Sequence, residues 1–150
     1  MGILDKLFGP PKIEKLKQKR DIEGLIKALR DKHDDVRSRA ANALAELRDP
    51  RSVKPLIDLY KEDTFSGGSK EAAEVLGDIK DPRAVDPLIE GLNASKWARR
   101  ETVSALGKLG DPRALDPLVA ILGSYYASKG LCGDYELGQT MVLEALGNLG

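Results

Sequence analysis

The stretch "DPRAVDPLI" at residues 81–89 has two near copies in this chain of 150 residues. They are "DPRSVKPLI" at 49–57 and "DPRALDPLV" at 111–119. In each copy the aspartate can cap a helix, and the first proline can take the first helical position, where an N–H is not needed. The second proline should kink this helix or restart it. The stretch therefore predicts the start of a helical unit that the chain repeats.

Each copy is followed by apolar residues at the spacing of a one-sided helix, which we name the A helix. A second helical pattern, the B helix, follows in each unit. The B patterns are "VRSRAANALAEL" (36–47), "SKEAAEVLGDI" (69–79), "ARRETVSALGKL" (98–109) and "GQTMVLEALGNL" (138–149). An earlier A helix without prolines carries Ile22, Leu25, Ile26 and Leu29. Two-helix units of this length cannot bury both apolar faces alone, so we predict an all-α fold, an α-solenoid of about four antiparallel helix pairs.

Small residues recur at one register of the B helices, at Ala45, Gly77, Gly107 and Gly147. Glycine inside a helix costs about 1 kcal/mol relative to alanine. The register therefore predicts that neighbouring B helices approach each other closely. For the starts of the B helices, the sequence suggests Asp34 or Asp35, Ser69 and Ser95 as N-caps.

Charge and composition narrow the classes of function. The chain has 24 basic and 24 acidic residues, so nothing global favours nucleic acid or an acidic membrane. Its one cysteine, Cys132, and one histidine, His33, allow no disulfide framework and no thiolate metal site. A reducing, cytoplasmic compartment fits this usage. We therefore expect no catalytic residues, no metal and no cofactor.

The run "DPRAVDPLIEGL" followed by "ARRETVSALGKLGDPRALDPL" closely resembles the HEAT-like repeats of the phycobilin-lyase type, over about residues 18–150. The resemblance implies a right-handed HEAT-like or armadillo-type superhelix, with B helices lining its concave face. That family mixes scaffolds, chromophore-attachment factors and enzymes. Deoxyhypusine hydroxylase has a similar stack but holds two irons with several His–Glu pairs. With His33 alone, this chain cannot assemble such a site.

The predicted units are 18–48, 49–80, 81–110 and 111–150, and the second and fourth depart from the pattern. "TFSGGSK" (64–70) predicts a B helix that starts late. The fourth unit carries the insertion "GSYYASKGLCGDYELG" (123–138), which is either a self-packed surface loop or a loop that contacts a partner. Trp97, beside two arginines, is either a packing residue or an interface anchor.

The two ends of the stack differ in sequence. Residues 1–17 are predicted to be an amphipathic capping segment, with Ile3, Leu4, Leu7 and Phe8 on one face; docking to a membrane or another protein is the alternative. At the other end, the fourth B pattern ends at "GNLG" (147–150), after which "DPR" would come next. We therefore expect either a longer parent chain or self-association through the open last repeat.

We predict a non-enzymatic scaffold or adaptor that presents its concave B-helix surface to another protein or peptide. The alternative is an accessory factor or lyase acting on a tetrapyrrole or other cofactor. Outward positions on the B helices and the tyrosine insertion give the candidate partner-binding residues: Arg37, Asn42, Lys70, Glu74, Trp97, Arg99, Arg100, Ser104, Tyr125, Tyr126 and Tyr135. Their mixed charge suits a polar protein ligand better than uniform phosphate, so nucleic acid is not expected.

Overall fold

The computed structural model describes residues 10–62, 68–94, 98–127, 140 and 143–148, and all regular structure in them is helical. The helices are α1 Pro10–Gln18, α2 Ile22–Ala28, α3 Asp34–Leu47, α4 Val53–Glu62, α5 Ser69–Ile79, α6 Val85–Ala94, α7 Arg99–Leu109, α8 Leu115–Ala127 and α9, residues 143–147. The A helices are α2, α4, α6 and α8, and the B helices are α3, α5, α7 and α9. Consecutive helices pack in layers along the chain. The predicted all-α solenoid is confirmed.

The repeated stretch folds in the same way in all three copies. Asp49, Asp81 and Asp111 each accept a hydrogen bond from the backbone N–H two residues later, at 2.9–3.0 Å. The first proline opens a 3₁₀ turn: Pro50–Ser52, Pro82–Ala84 and Pro112–Ala114. The A helix then starts anew, and the second proline is its third residue, where the N–H would have no partner within the helix. Of the two predicted outcomes, kink or restart, the chain restarts.

The core lies between the row of A helices and the row of B helices, and it follows the predicted apolar period. Leu44, Leu76 and Leu106 of the B helices are completely buried, as are Leu56, Leu88 and Leu118 of the A helices. α1 adds Ile13 to the same core and packs against α3 and α2. Residues 1–9, which include the predicted apolar face of the capping segment, lie outside the described residues.

Two predicted N-caps are wrong. Ser69 is the buried first residue of α5, and the cap is Gly68, whose φ of 76° is left-handed. A Cβ on Gly68 would lie 2.0 Å from the carbonyl oxygen of Leu29, so only glycine fits this approach. In α3 the cap position is His33, whereas the two aspartates fall in the first turn, where they favour the helix dipole. The third predicted cap, Ser95, lies outside the described residues.

The B helices touch one another at the predicted glycines. A Cβ on Gly77 would lie 2.7 Å from Cα of Ala105, and one on Gly107 would lie 2.8 Å from Cα of Ala145. The A helices are spaced more widely, and an open groove of about 610 Å³ lies between α2 and α4. Because neighbouring B helices lie closer together than neighbouring A helices, the stack curves with the B helices on its inner side.

Candidate functional site

The inner surface of the stack carries a line of polar side chains, which we name the B-helix strip. Its members are Ser38, Asn42, Lys70, Glu74, Arg100, Ser104, Thr140 and Glu144. They lie six or two residues before the inward-facing leucines of the B helices, which are Leu44, Leu76, Leu106 and the half-buried Leu146. All are exposed except Ser104, which is half-buried. The apolar period therefore turns this row of side chains away from the core.

The strip separates its charges by register. Lys70 and Arg100 are the second residues of α5 and α7, so they lie beside the positive ends of two helix dipoles. Glu74 lies one turn further along α5, about 6 Å from Lys70 along the helix axis. Within the described residues, no ion pair engages Lys70, Glu74 or Arg100. The strip therefore presents a basic edge and an acidic edge to solvent.

Ion pairs further along the B helices connect neighbouring layers. Lys108 Nζ lies 2.6 Å from Oδ1 of Asp78 on the preceding B helix. Lys17 of α1 contacts Glu46 of α3 in the same way. Exposed pairs of this kind contribute little to stability. The charges of these side chains beside the strip neutralise each other in pairs. The charged side chains of the strip have no such partners among the described residues.

A shallow groove interrupts the strip between α7 and α9. It has a volume of about 120 Å³ and is lined by Ser104, Gly107, Lys108, Glu144, Ala145 and Asn148. The missing side chain of Gly107 brings the two helices together, and the polar side chains form the sides. The groove offers hydroxyl, carboxylate, amide and ammonium groups to one ligand segment.

Arg37 is held by the fold. Its Nε donates to Glu71 Oε1 at 2.9 Å, its Nη1 donates to the Asp31 carbonyl at 2.9 Å, and its Nη2 donates to Asp34. Its side chain is only 12% exposed. The guanidinium thus connects the first two units, and it binds Asp31 and Asp34 at the start of α3.

Of the remaining candidate residues, the structure describes the side chain of Arg99 alone. Arg99 is exposed, and its Nε donates to the Leu92 carbonyl at 3.2 Å, which satisfies the end of α6. Tyr125 and Tyr126 lie in α8, and nothing is described of their side chains. Trp97 and Tyr135 lie outside the described residues.

Two hydroxyl groups fix the layer that carries Arg100, and the sequence analysis missed them. Tyr60 Oη lies 2.8 Å from Thr102 Oγ1, which donates to the Ala98 carbonyl at 2.7 Å. Gly91 leaves the space for the tyrosine ring, because a Cβ there would lie 1.9 Å from Tyr60 Oη. Three departures from the repeat were visible: Tyr60 where other A helices have leucine, Thr102 where α3 and α5 have alanine, and a glycine within α6.

The described residues contain no group of three or more His, Cys, Asp or Glu that could hold a metal ion. No helix among them is long and apolar enough to cross a membrane. All buried polar side-chain atoms in the described part of the chain have hydrogen-bond partners.

Comparison with known families gives a match to HEAT repeats over residues 13–67 and 68–127. The chain belongs to the HEAT-repeat family. The first match spans α1 to α4 and the second spans α5 to α8, so each covers four consecutive helices. A comparison with curated proteins found no match. HEAT-repeat proteins commonly bind other proteins.

Proposed function

We propose that this HEAT-repeat protein is a non-enzymatic adaptor that binds a protein or peptide along the B-helix strip. The observation that carries the proposal is a set of exposed charged side chains on the inner surface of the stack, Lys70, Glu74 and Arg100, which have no ion-pair partners in the described residues. Repeat stacks provide extended surfaces of this kind.

The arrangement of charge suggests the chemistry of the ligand. Carboxylates of a ligand would meet Lys70 and Arg100, where the helix dipoles add to the positive potential. Basic or amide groups would meet Glu74 and Glu144. A ligand with both kinds of group fits better than a uniformly charged one. We therefore propose a segment of mixed charge, lying across the B helices, with its acidic side at the basic edge.

Trp97, Arg99, Tyr125, Tyr126 and Tyr135 extend this proposal. They are proposed as contacts at the edge of the strip, since aromatic side chains and arginines are enriched at interface hot spots. Arg37 would act there through the position of α3, because its guanidinium already has three partners.

The test compares three full-length proteins in crosslinking capture from the native host. They are the wild type, the strip variant Lys70→Glu/Arg100→Glu, and the control variant Lys27→Glu/Lys54→Glu. The control reverses two exposed charges on the A helices α2 and α4. We expect the same proteins to be recovered with wild type and control and to be depleted about tenfold or more with the strip variant. Equal recovery with all three would contradict the proposal.

The resemblance to the phycobilin-lyase type supplies the second candidate, a factor that handles a tetrapyrrole. The distinguishing measurement is absorbance after the purified protein is mixed with a bilin and an acceptor protein. A bilin covalently transferred to the acceptor would favour this candidate. An unchanged bilin, together with strip-dependent capture, would favour the adaptor.

A further inference from the structure

The groove of about 610 Å³ between α2 and α4 lies among the A helices, away from the B-helix strip. Its volume falls within the range of small-molecule sites, which is about 300–1,000 Å³. Four of the nine residues that line it are basic: Arg20, Lys27, Arg30 and Arg51. The groove therefore combines the size of a ligand site with a set of cationic side chains.

The groove opens where the first unit lacks a turn that the later units have. In the later units, the capping aspartate is followed by a 3₁₀ turn of three residues, which packs against the preceding A helix. In the first unit, Asp21 caps α2 directly, and the helix begins at the next residue, Ile22. The chain has no residues between these two in which a turn could form. The opening is thus set inside the chain, at residues 21 and 22.

The 3₁₀ turns of the later units connect neighbouring units through their arginines. Arg83 Nη2 donates to the Pro50 carbonyl of the preceding turn at 3.2 Å. Arg113 Nη1 lies 2.9 and 3.0 Å from the two carboxylate oxygens of Asp86 in the preceding A helix. Each of these arginines thus binds oxygen atoms of the preceding unit in addition to its own aspartate.

Arg51 has no such partner in the preceding unit within the described residues. Its hydrogen bonds there all go to Asp49, from Nε at 3.0 and 3.2 Å and from Nη2 at 2.7 Å. Because the first unit has no 3₁₀ turn, no turn carbonyl lies before Arg51. Its side chain is 71% exposed, compared with 58% for Arg83 and 49% for Arg113. Nη1 of Arg51 is therefore available to an oxygen atom of a ligand in the groove.

Arg20 adds a second guanidinium at the same end of the groove. It is exposed, and no ion pair engages it within the described residues. Hydrogen bonds from Arg51 and the charge of Arg20 both lower the pKa of Asp49, which reaches about 2. The two arginines thus produce a positive potential at the end of the groove where α2 begins.

The other residues of the groove limit the chemistry of a ligand. Asp21 and Glu23 line it, and Glu23 takes part in no ion pair within the described residues. A ligand with several anionic groups would bring like charges close to these carboxylates. The apolar side chains of Ile22, Ile26 and Pro55 also line the groove. A single anionic group on an apolar body therefore fits this lining best.

We propose that this groove binds a small organic carboxylate. The carboxylate group accepts hydrogen bonds from Arg51 and Arg20, as the side chain of Asp86 does from Arg113. The apolar part of the ligand lies on the apolar side chains of the groove. This site goes beyond the adaptor function, because the groove lies among the A helices and can be occupied together with the B-helix strip.

The test titrates the full-length protein with hexanoate and follows the backbone amide signals by NMR. Hexanamide is the neutral probe of similar size. We expect hexanoate to cause saturable shifts of the amide signals of α2 and of residues 51–54. Hexanamide should cause no saturable shift, because it lacks the charge that the two arginines bind.

Arg51→Gln removes the proposed anchor, and Arg83→Gln is its matched control, because Arg83 pairs with its own aspartate in the same way. We expect Arg51→Gln to weaken hexanoate binding about tenfold or more, since it removes charge-assisted hydrogen bonds. Arg83→Gln should bind like wild type. A third variant, with Pro-Arg-Ala inserted between Asp21 and Ile22, supplies the 3₁₀ turn and should keep its helical content but not bind hexanoate.

Four results would overturn the proposal. Hexanoate causes no saturable shift of these amides, hexanamide causes equal shifts, Arg51→Gln and Arg83→Gln weaken binding equally, or the folded insertion variant binds like wild type. A fifth contrary result concerns residues 1–9. Binding of hexanoate by Leu4→Glu/Leu7→Glu but not by wild type would assign the groove to that segment instead.

Discussion

Gly91 illustrates how a single residue maintains the contact between layers. It lies in α6 against the ring of Tyr60, and a Cβ there would approach the hydroxyl oxygen to 1.9 Å and two ring carbons to 2.5 Å. Gly91 and Tyr60 are both buried, so the tyrosine ring has little room to move. We expect Gly91→Ala to destabilise the protein by about 1–3 kcal/mol, despite the better helix propensity of alanine. Urea unfolding followed by circular dichroism measures this change.

The matched control is Gly123→Ala in α8, where a Cβ would meet nothing within 4 Å. It should be neutral or stabilising by up to about 1 kcal/mol. Tyr60→Phe should partly restore the stability of Gly91→Ala, because it removes the closest contact. Equal effects of the two glycine substitutions would mean that the ring does not occupy the space beside Gly91.

Buried leucines of the B helices should not tolerate charge. Leu106 is completely buried, so Leu106→Asp would place an unpaired carboxylate in the core. We expect a loss of about 4 kcal/mol or more, or no folded protein. Leu143→Asp makes the same chemical change at a residue that is 53% exposed, and it should leave the thermal midpoint nearly unchanged. A similar loss in both variants would show that the helix phase is wrong.

At the scale of elements, the Asp-Pro-Arg turn should give the fold a characteristic response to acid. Hydrogen bonds from the side chain and the backbone of Arg51 lower the pKa of Asp49 from its ordinary value of 3.8 to about 2. Hydrogen bonds from the side chain of Arg83 likewise lower the pKa of Asp81, and those from Arg113 lower the pKa of Asp111. Folding therefore favours the ionised form of all three carboxyl groups.

A lowered pKa means that the unfolded chain binds more protons than the folded chain between the two pKa values. The contribution of the turns is therefore fully present above pH 3.8 and is lost as the pH falls towards about 2. We expect Asp49→Asn/Asp81→Asn/Asp111→Asn to unfold at a lower temperature than wild type at pH 6 and to show a smaller further loss between pH 4 and about 2. Thermal unfolding over this range measures both. Parallel acid profiles for the two proteins would contradict this role of the turns.

The repeated turn also shows which parts of the fold can be predicted from sequence. The aspartate cap and both prolines act within a few residues, so the starts of α4, α6 and α8 follow from local chemistry. The start of α5 does not, because Gly68 is required by the carbonyl of Leu29, about forty residues earlier in the chain. Local propensity at Ser69 gives no information about that contact.

At the scale of the whole molecule, the period of apolar residues predicts which face of a helix turns inward but not whether a neighbour covers it. Leu115 fits the same pattern as Val85, yet one is 46% exposed and the other is completely buried. The exposure of the B-helix strip could be predicted, since it needs only the phase of each B helix. The hydrogen bonds from Arg37 to Glu71 and Asp31 could not be predicted, because they depend on how the first two units pack together.

The most direct test of the adaptor function is titration of a captured partner against purified full-length proteins by calorimetry. The strip variant Lys70→Glu/Arg100→Glu should bind at least about tenfold more weakly than wild type, a loss of about 1.4 kcal/mol or more. The control Lys27→Glu/Lys54→Glu should bind like wild type, and all three should keep the same helical content. Wild-type affinity in the strip variant, with its fold intact, would contradict the account.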